Sequence, residues 1–271
     1  FESLRNSAPI FWNKTHRGWF VTRHADVADG FRDMRLSSNR LKPLRARLKD
    51  EEQATIGRAL GVLEKWMVFQ DEPDHKRLRS IVNKAFTSQA VALMEADVVY
   101  IAQKQIAALK DDLKNGEVDI LAKFAGEIPQ YVICRMLGIT EGQAEFVALV
   151  EELSSIIGGI DDPNRNTRAT VAIEELERRL AVVIDSADRG QQNLITELVK
   201  AEQDGNKLSR TEVIATGMLL LFGGRGTTSS MIANTIRSLL LHQDQFQRIK
   251  ENPDLIPNAI EEVFRWEGHT K

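Results

Sequence analysis

Apolar residues recur every three or four positions along most of this chain, and that period confines it to a mainly helical fold. The pattern runs through roughly 73–86, 89–114, 119–137, 141–157, 166–188, 192–203, 209–250 and 257–266. The breaks carry the expected punctuation: Asn115-Gly116, Gly158-Gly159 with Asp162-Pro163, Arg189-Gly190, Asp204-Gly205-Asn206 and Asn252-Pro253. The first forty residues differ. Gly18-Trp19-Phe20-Val21-Thr22 reads as a strand, with Ile10-Phe11-Trp12 as its partner and Asn13 to Arg17 as the turn. Ala25 to Asp33 follows with a short helical pattern. No repeat or low-complexity linker divides the chain, so residues 1–271 are expected to form a single domain.

The segment 209–250 is long for one helix. Ser209 with Glu212 makes a capping box that marks its start. Its middle is Gly223-Gly224-Arg225-Gly226-Thr227-Thr228-Ser229-Ser230, and each glycine inside a helix costs about 1 kcal/mol relative to alanine. Two readings stand: a bent or closely approached central helix, or a loop between two helices. Phosphate binding fits neither form of the run. A P-loop needs Lys after its last glycine, where Thr227 stands, and the dinucleotide fingerprint needs a glycine where Ser229 stands.

Composition narrows the function classes. Lys plus Arg number 36 against 39 Asp plus Glu, a formal charge of −3, so no basic field points to nucleic acid. One cysteine excludes a disulfide framework and any cysteine-based metal cluster, and suits a reducing, cytoplasmic compartment. The longest apolar stretches, such as Met218 to Phe222, are far too short to span a bilayer, so no membrane partner is expected. The first residue is Phe1 rather than Met, so the gene is expected to begin elsewhere.

Three side-chain groupings carry possible chemistry. Leu78, Ile81, Val82, Ala85 and Phe86 form one apolar stripe, and His75 and Arg79 sit one turn apart at its border. They are either two solvated cations or a paired grip on an anion, for which Arg offers a bidentate fork. Glu72 and His75 have the spacing of a di-iron ligand pair, but no other His has a Glu three residues before it, so no metal site is expected. Near the end, Pro257 opens a helix on which Glu262 and Arg265 are i, i+3 partners. Cys134 lies within the apolar run Tyr131 to Leu137, which suits a buried structural cysteine.

Taken in order, Asp71-Glu72-Pro73-Asp74-His75-Lys76-Arg77-Leu78-Arg79, Lys84-Ala85-Phe86-Thr87, Phe222-Gly223-Gly224-Arg225-Gly226-Thr227-Thr228 and Glu262-Val263-Phe264-Arg265-Trp266 resemble the soluble bacterial class of cytochromes P-450, the haem-thiolate monooxygenases. The likeness runs from about Trp19 to the last residue. It implies the mainly α cytochrome P-450 fold, with a long distal helix, a helical bundle and a small N-terminal β element. It assigns His75 and Arg79 to the propionates of haem b. Gly223 and Gly224 would let the macrocycle and oxygen approach the helix backbone. Thr227 would be the alcohol that relays protons during oxygen activation. Leu219, Phe222 and Gly223 would face the substrate, with loops around 40–66 and 155–168 closing the pocket. Glu262 and Arg265 would belong to a structural ion-pair network.

Two departures accompany the likeness. The family has Asp or Glu immediately before the threonine, where this chain has Gly226, and Arg225 cannot donate a proton in its place. The axial cysteine of the family lies well downstream of the Glu-x-x-Arg helix and is expected beyond Lys271; Cys134 is in the wrong element. The implied activity is hydroxylation of a mainly apolar small molecule with O2, fed by a ferredoxin and ferredoxin reductase in the cytoplasm. Gly226 keeps open a peroxide-using or rearranging haem enzyme of the same fold. The missing cysteine keeps open a haem-free binding protein.

Overall fold

A short helix, α1 (Glu2–Ser7), leads into a two-stranded ribbon held by facing aromatics. Strands β1 (Ile10–Asn13) and β2 (Gly18–Val21) run antiparallel with Phe11 opposite Phe20 and Trp12 opposite Trp19. The ring centroids lie 5.6 and 5.7 Å apart, within the range of favourable aromatic contact. The computed structural model describes residues 2–16, 18–87, 91–92, 94–157, 164–186, 193–203 and 205–268.

Helices make up nearly all the rest, in the order α2 (His24–Arg32), α3 (Leu41–Arg45), α4 (Asp50–Leu63), α5 (Asp74–Ala85), α6 (Glu95–Leu113), α7 (Glu127–Met136), α8 (Gln143–Ile157), α9 (Arg165–Ser186) and α10 (Leu194–Lys200). The expected loop around 40–66 is largely helical: α3 and α4 occupy it, because Ile56, Ala59, Leu60 and Leu63 line up as a buried face. Of the expected loop 155–168, residues 158–163 lie outside the described ones, while 155–157 end α8 and 165–168 begin α9. The 119–137 run enters α7 through a π turn at Leu121–Ala125. Gly138, with φ of +76°, ends α7 in a conformation that few other residues adopt. The 192–203 run stops being helical at Lys200, since β3 (Glu202–Gln203) pairs with β4 (Asn206–Lys207).

The 209–250 segment resolves into α11 (Arg210–Leu241) and α12 (Gln243–Glu251), separated at His242. α13 (Ile256–Trp266) follows. α11 continues straight through the glycine run, so the loop reading falls. Packing holds it there: a Cβ at Gly224 would sit 3.1 Å from the Ile133 side chain of α7, and one at Gly217 would meet Leu180 and Ile195 at 3.5 Å. Every residue from Val213 to Leu219 is buried, which makes α11 the centre of the core. α4, α5, α7, α8, α9 and α10 supply the surrounding residues, among them Leu63, Ile81, Leu153, Leu176 and Leu198. No helix among the described residues is long and apolar enough to cross a membrane.

One carboxylate ties α11 to α5. Glu212 accepts hydrogen bonds from the Ser209 backbone N–H (2.8 Å) and hydroxyl (2.9 Å), completing the capping box, and its other oxygen pairs with Arg77. Burial pushes the Glu212 carboxyl up, but the Arg77 and Ser209 bonds together outweigh it and leave it below the ordinary carboxylate value. A depressed folded-state pKa stabilises above the unfolded pKa and is lost as pH falls through the folded one. Glu212→Gln is therefore expected to cost about 2 kcal/mol at pH 7, the range for a lost charged hydrogen bond. In urea unfolding the midpoint should fall with the slope unchanged, and the difference from the parent should shrink as pH drops below the carboxylate range.

Candidate functional site

The fully buried stretch of α11 gives way abruptly to a bare one. Gly223, Gly226 and Thr227 fall on one helix face by their i, i+3, i+4 spacing, and all three are exposed. A Cβ built at Gly223 or Gly226 would meet nothing within 4 Å. Their glycine identity thus leaves a flat strip of backbone facing open space, with the Thr227 hydroxyl at its end. That hydroxyl donates to the Gly223 carbonyl at 2.9 Å. Gly224 does not share the open face; it is the point where α11 closes on Ile133.

Phe222 marks one border of the strip. It is half-buried, and its ring lies 5.4 Å from that of Trp66, which in turn stacks on Phe69 at 6.1 Å and 8°. The Arg40 guanidinium sits 5.0 Å over the Phe69 ring. Periodicity does not single out this aromatic cluster, because Trp66 and Phe69, both buried, lie at the two ends of a short 3-10 turn between α4 and α5. Leu219 is only 9% exposed and belongs to the core, with Phe222 and Gly223 standing nearer to open space.

α5 holds His75 and Arg79 one turn apart, as their spacing requires. Its apolar residues Leu78, Ile81, Val82 and Ala85 are buried and set the helix's rotation. His75 is half-buried, with Nδ1 3.4 Å from a Glu72 carboxylate oxygen. Arg79 is exposed and has no hydrogen-bond or ion-pair partner among the described residues. The start of the helix is pinned by Asp71, whose carboxylate accepts from the Ser37 hydroxyl and the Ser38 N–H (2.8 Å). Those two bonds, the Ser37 one foremost, hold the Asp71 carboxyl below its ordinary value. Among the described residues, no three His, Cys, Asp or Glu side chains group closely enough to hold a metal ion.

Glu262 and Arg265 are paired bidentately at 2.6 and 2.8 Å on α13. Both are about 60% exposed, so the pair by itself contributes well under 1 kcal/mol. Cys134 is fully buried on α7, and desolvation pushes its thiol up to about 12. At neutral pH it is a neutral thiol in the core, unfit to ligate iron from that position.

An uncrowded strip of helix backbone and an exposed hydroxyl suit the approach of a flat, mostly apolar group, and Arg79 with His75 one turn away on α5 suits a carboxylate. Comparison with known proteins points the same way. The cytochrome P-450 family model matches residues 49–263. A vitamin D(3) 25-hydroxylase of Pseudonocardia autotrophica is 33% identical over 253 residues, covering 92% of this chain and 59% of that enzyme. A solved cytochrome, P-450BioI, in complex with acyl carrier protein ligated to hexadec-9Z-enoic acid, superposes with a TM-score of 0.83 at 25% identity, covering 98% of this chain and 67% of that one. A Bacillus megaterium cytochrome, CYP109E1, in complex with testosterone gives 0.75 at 26% identity, covering 97% and 65%. The chain thus spans about six-tenths of the length of the relatives it matches.

The Cys134 environment has a direct chemical consequence. Iodoacetamide at pH 8 is expected to leave the native protein unmodified and to alkylate Cys134 only after denaturation, read by mass spectrometry. Rapid native alkylation would show a reactive thiolate and reopen its role.

Proposed function

The chain belongs to the cytochrome P-450 family, and from that premise we propose that it forms the distal wall and the propionate grip of a haem monooxygenase pocket. The observation that carries this reading is the bare face of α11, where Gly223 and Gly226 leave room that any side chain would fill. Haem, when bound, supplies the redox chemistry that inserts one oxygen atom of O2 into a substrate C–H bond.

The chain's own residues orient, exclude water and move protons. His75 and Arg79 donate hydrogen bonds to the propionates, and the fork geometry of Arg79 fixes rotation as well as charge. Phe222, half-buried at the border of the strip and backed by buried Trp66 and Phe69, gives the site an apolar edge against substrate that keeps water away from the reacting carbon. Thr227 sits at the open end of the strip with its proton donated to the Gly223 carbonyl; when that bond breaks, the hydroxyl is free to hand the proton on and take another from water. Cys134, a buried neutral thiol, would not be the residue that ligates the haem iron.

The substrate class is a mainly apolar small molecule. The apolar edge at Phe222 supports it, and so do relatives named for vitamin D(3) or solved with an acylated carrier protein or with testosterone. Electrons come from a ferredoxin and its reductase. Gly226 favours a second reading, direct use of peroxide, because the carboxylate that the family places before the threonine is absent. Turnover with hydrogen peroxide and none with reduced ferredoxin would select it.

Haem retention tests the main reading. Each charged hydrogen bond to a propionate is worth about 1.5–3 kcal/mol, so Arg79→Ala is expected to speed haem transfer to apomyoglobin on the order of tenfold or more. His75→Ala with Arg79→Ala should speed it on the order of a hundredfold or more. Unchanged transfer rates in the double variant would remove both residues from the site.

A further inference from the structure

Three of the four residues from Gly223 to Gly226 are glycines, so this turn of α11 has almost no side chains with which to hold its place. It is also the weakest stretch of the helix by propensity. Gly223 and Gly226 face open space. The backbone at Gly224 rests on Ile133, which sets the distance to α7 but offers no directional bond. The remaining residue is Arg225. It projects from the side of α11 that carries buried Met218, Leu221 and Ser229, away from the bare strip. Its guanidinium reaches α8, where Nη2 lies 2.6 Å from a Glu151 carboxylate oxygen. Glu151 is its only ion-pair partner among the described residues, and its Nε is buried without an acceptor. Partly stripped of water, the cation depends on that carboxylate.

We infer that the Arg225–Glu151 pair is a positioning device: it holds the glycine turn helical and so keeps the Thr227 hydroxyl in its place at the end of the bare strip, from which the proposed proton relay starts. Thr227 bonds back to Gly223, and Ser229 bonds back to the carbonyl of Arg225 itself, 2.8 Å away. The hydroxyl bonds across this segment therefore share one backbone register, and among the described residues only Arg225 ties that register to another helix through an ion pair. Arg225 and Glu151 touch no reacting atom. They act through Thr227, and in that respect the inference rests on the reading of Thr227 as the relay.

Two measurements separate the parts. In hydrogen exchange followed by mass spectrometry, Arg225→Ala and Glu151→Gln are each expected to speed exchange of the amides at 223–229 roughly tenfold, leaving those at 213–219 unchanged. The charge swap Arg225→Glu with Glu151→Arg should restore much of the protection. In the haem-loaded enzyme with its electron donor, Arg225→Ala should raise the share of reducing equivalents recovered as hydrogen peroxide, as Thr227→Val is expected to. Placed in the Thr227→Val background, it should add nothing. Exchange at 223–229 that stays at the parent rate, or peroxide yields that add in the double variant, would overturn the inference. If Thr227→Val alone leaves the peroxide share unchanged, the relay reading fails, and the exchange data still decide whether the pair holds the turn.

Discussion

The structure depends on a single helix that must be buried on every side for two turns, from Val213 to Leu219, and left bare along one face soon after. From Val213 to Leu219, α11 is enclosed by its neighbours, and the hydrophobic burial gathered there is what centres the core. A few residues later, the same helix offers backbone in place of side chains. A helix weakened at that point by three glycines would fray if isolated; here it continues because both of its flanks are clamped. Glu212 fixes the start through the capping box and Arg77, and the apolar contacts of α7 and α8 fix the middle.

That arrangement separates stability from function along one element. The buried turns provide rigidity, and the bare face can then be given over to a ligand. The ion pairs found on the molecule follow the same division. The Glu262–Arg265 pair on α13 is exposed and local, with little energetic weight of its own. Arg77–Glu212 is partly shielded and spans two helices, so it sets the position of α5, which carries His75 and Arg79.

Much of this was legible in the sequence because it is local. The capping box at Ser209, the i, i+4 spacing of His75 and Arg79, the i, i+3 pair on α13 and the aromatic hairpin all involve residues within a few positions of each other or across one turn. The family likeness proposes a ligand, the haem propionates, where spacing alone left the partner of His75 and Arg79 open. What was not legible is tertiary. Arg77 finds Glu212 at 135 positions' remove, and Trp66 meets Phe222 from a 3-10 turn that has no period to read. The helices in 40–66 were missed because a charged first turn, Asp50 to Glu52, masks the apolar face that starts at Ile56. The glycine run stayed ambiguous until its neighbours were in place, since Ile133 against Gly224 is what makes a helix of it.

The bare face of α11 is proposed to form the distal wall of a thiolate-ligated haem. The most direct test is the carbon monoxide difference spectrum of the dithionite-reduced protein, expressed as its native gene encodes it. A Soret band characteristic of thiolate ligation is expected, and Gly223→Leu, which fills the open strip, should abolish or strongly weaken carbon monoxide binding while haem is retained. No haem on extraction, or carbon monoxide binding unaffected by Gly223→Leu, would contradict it.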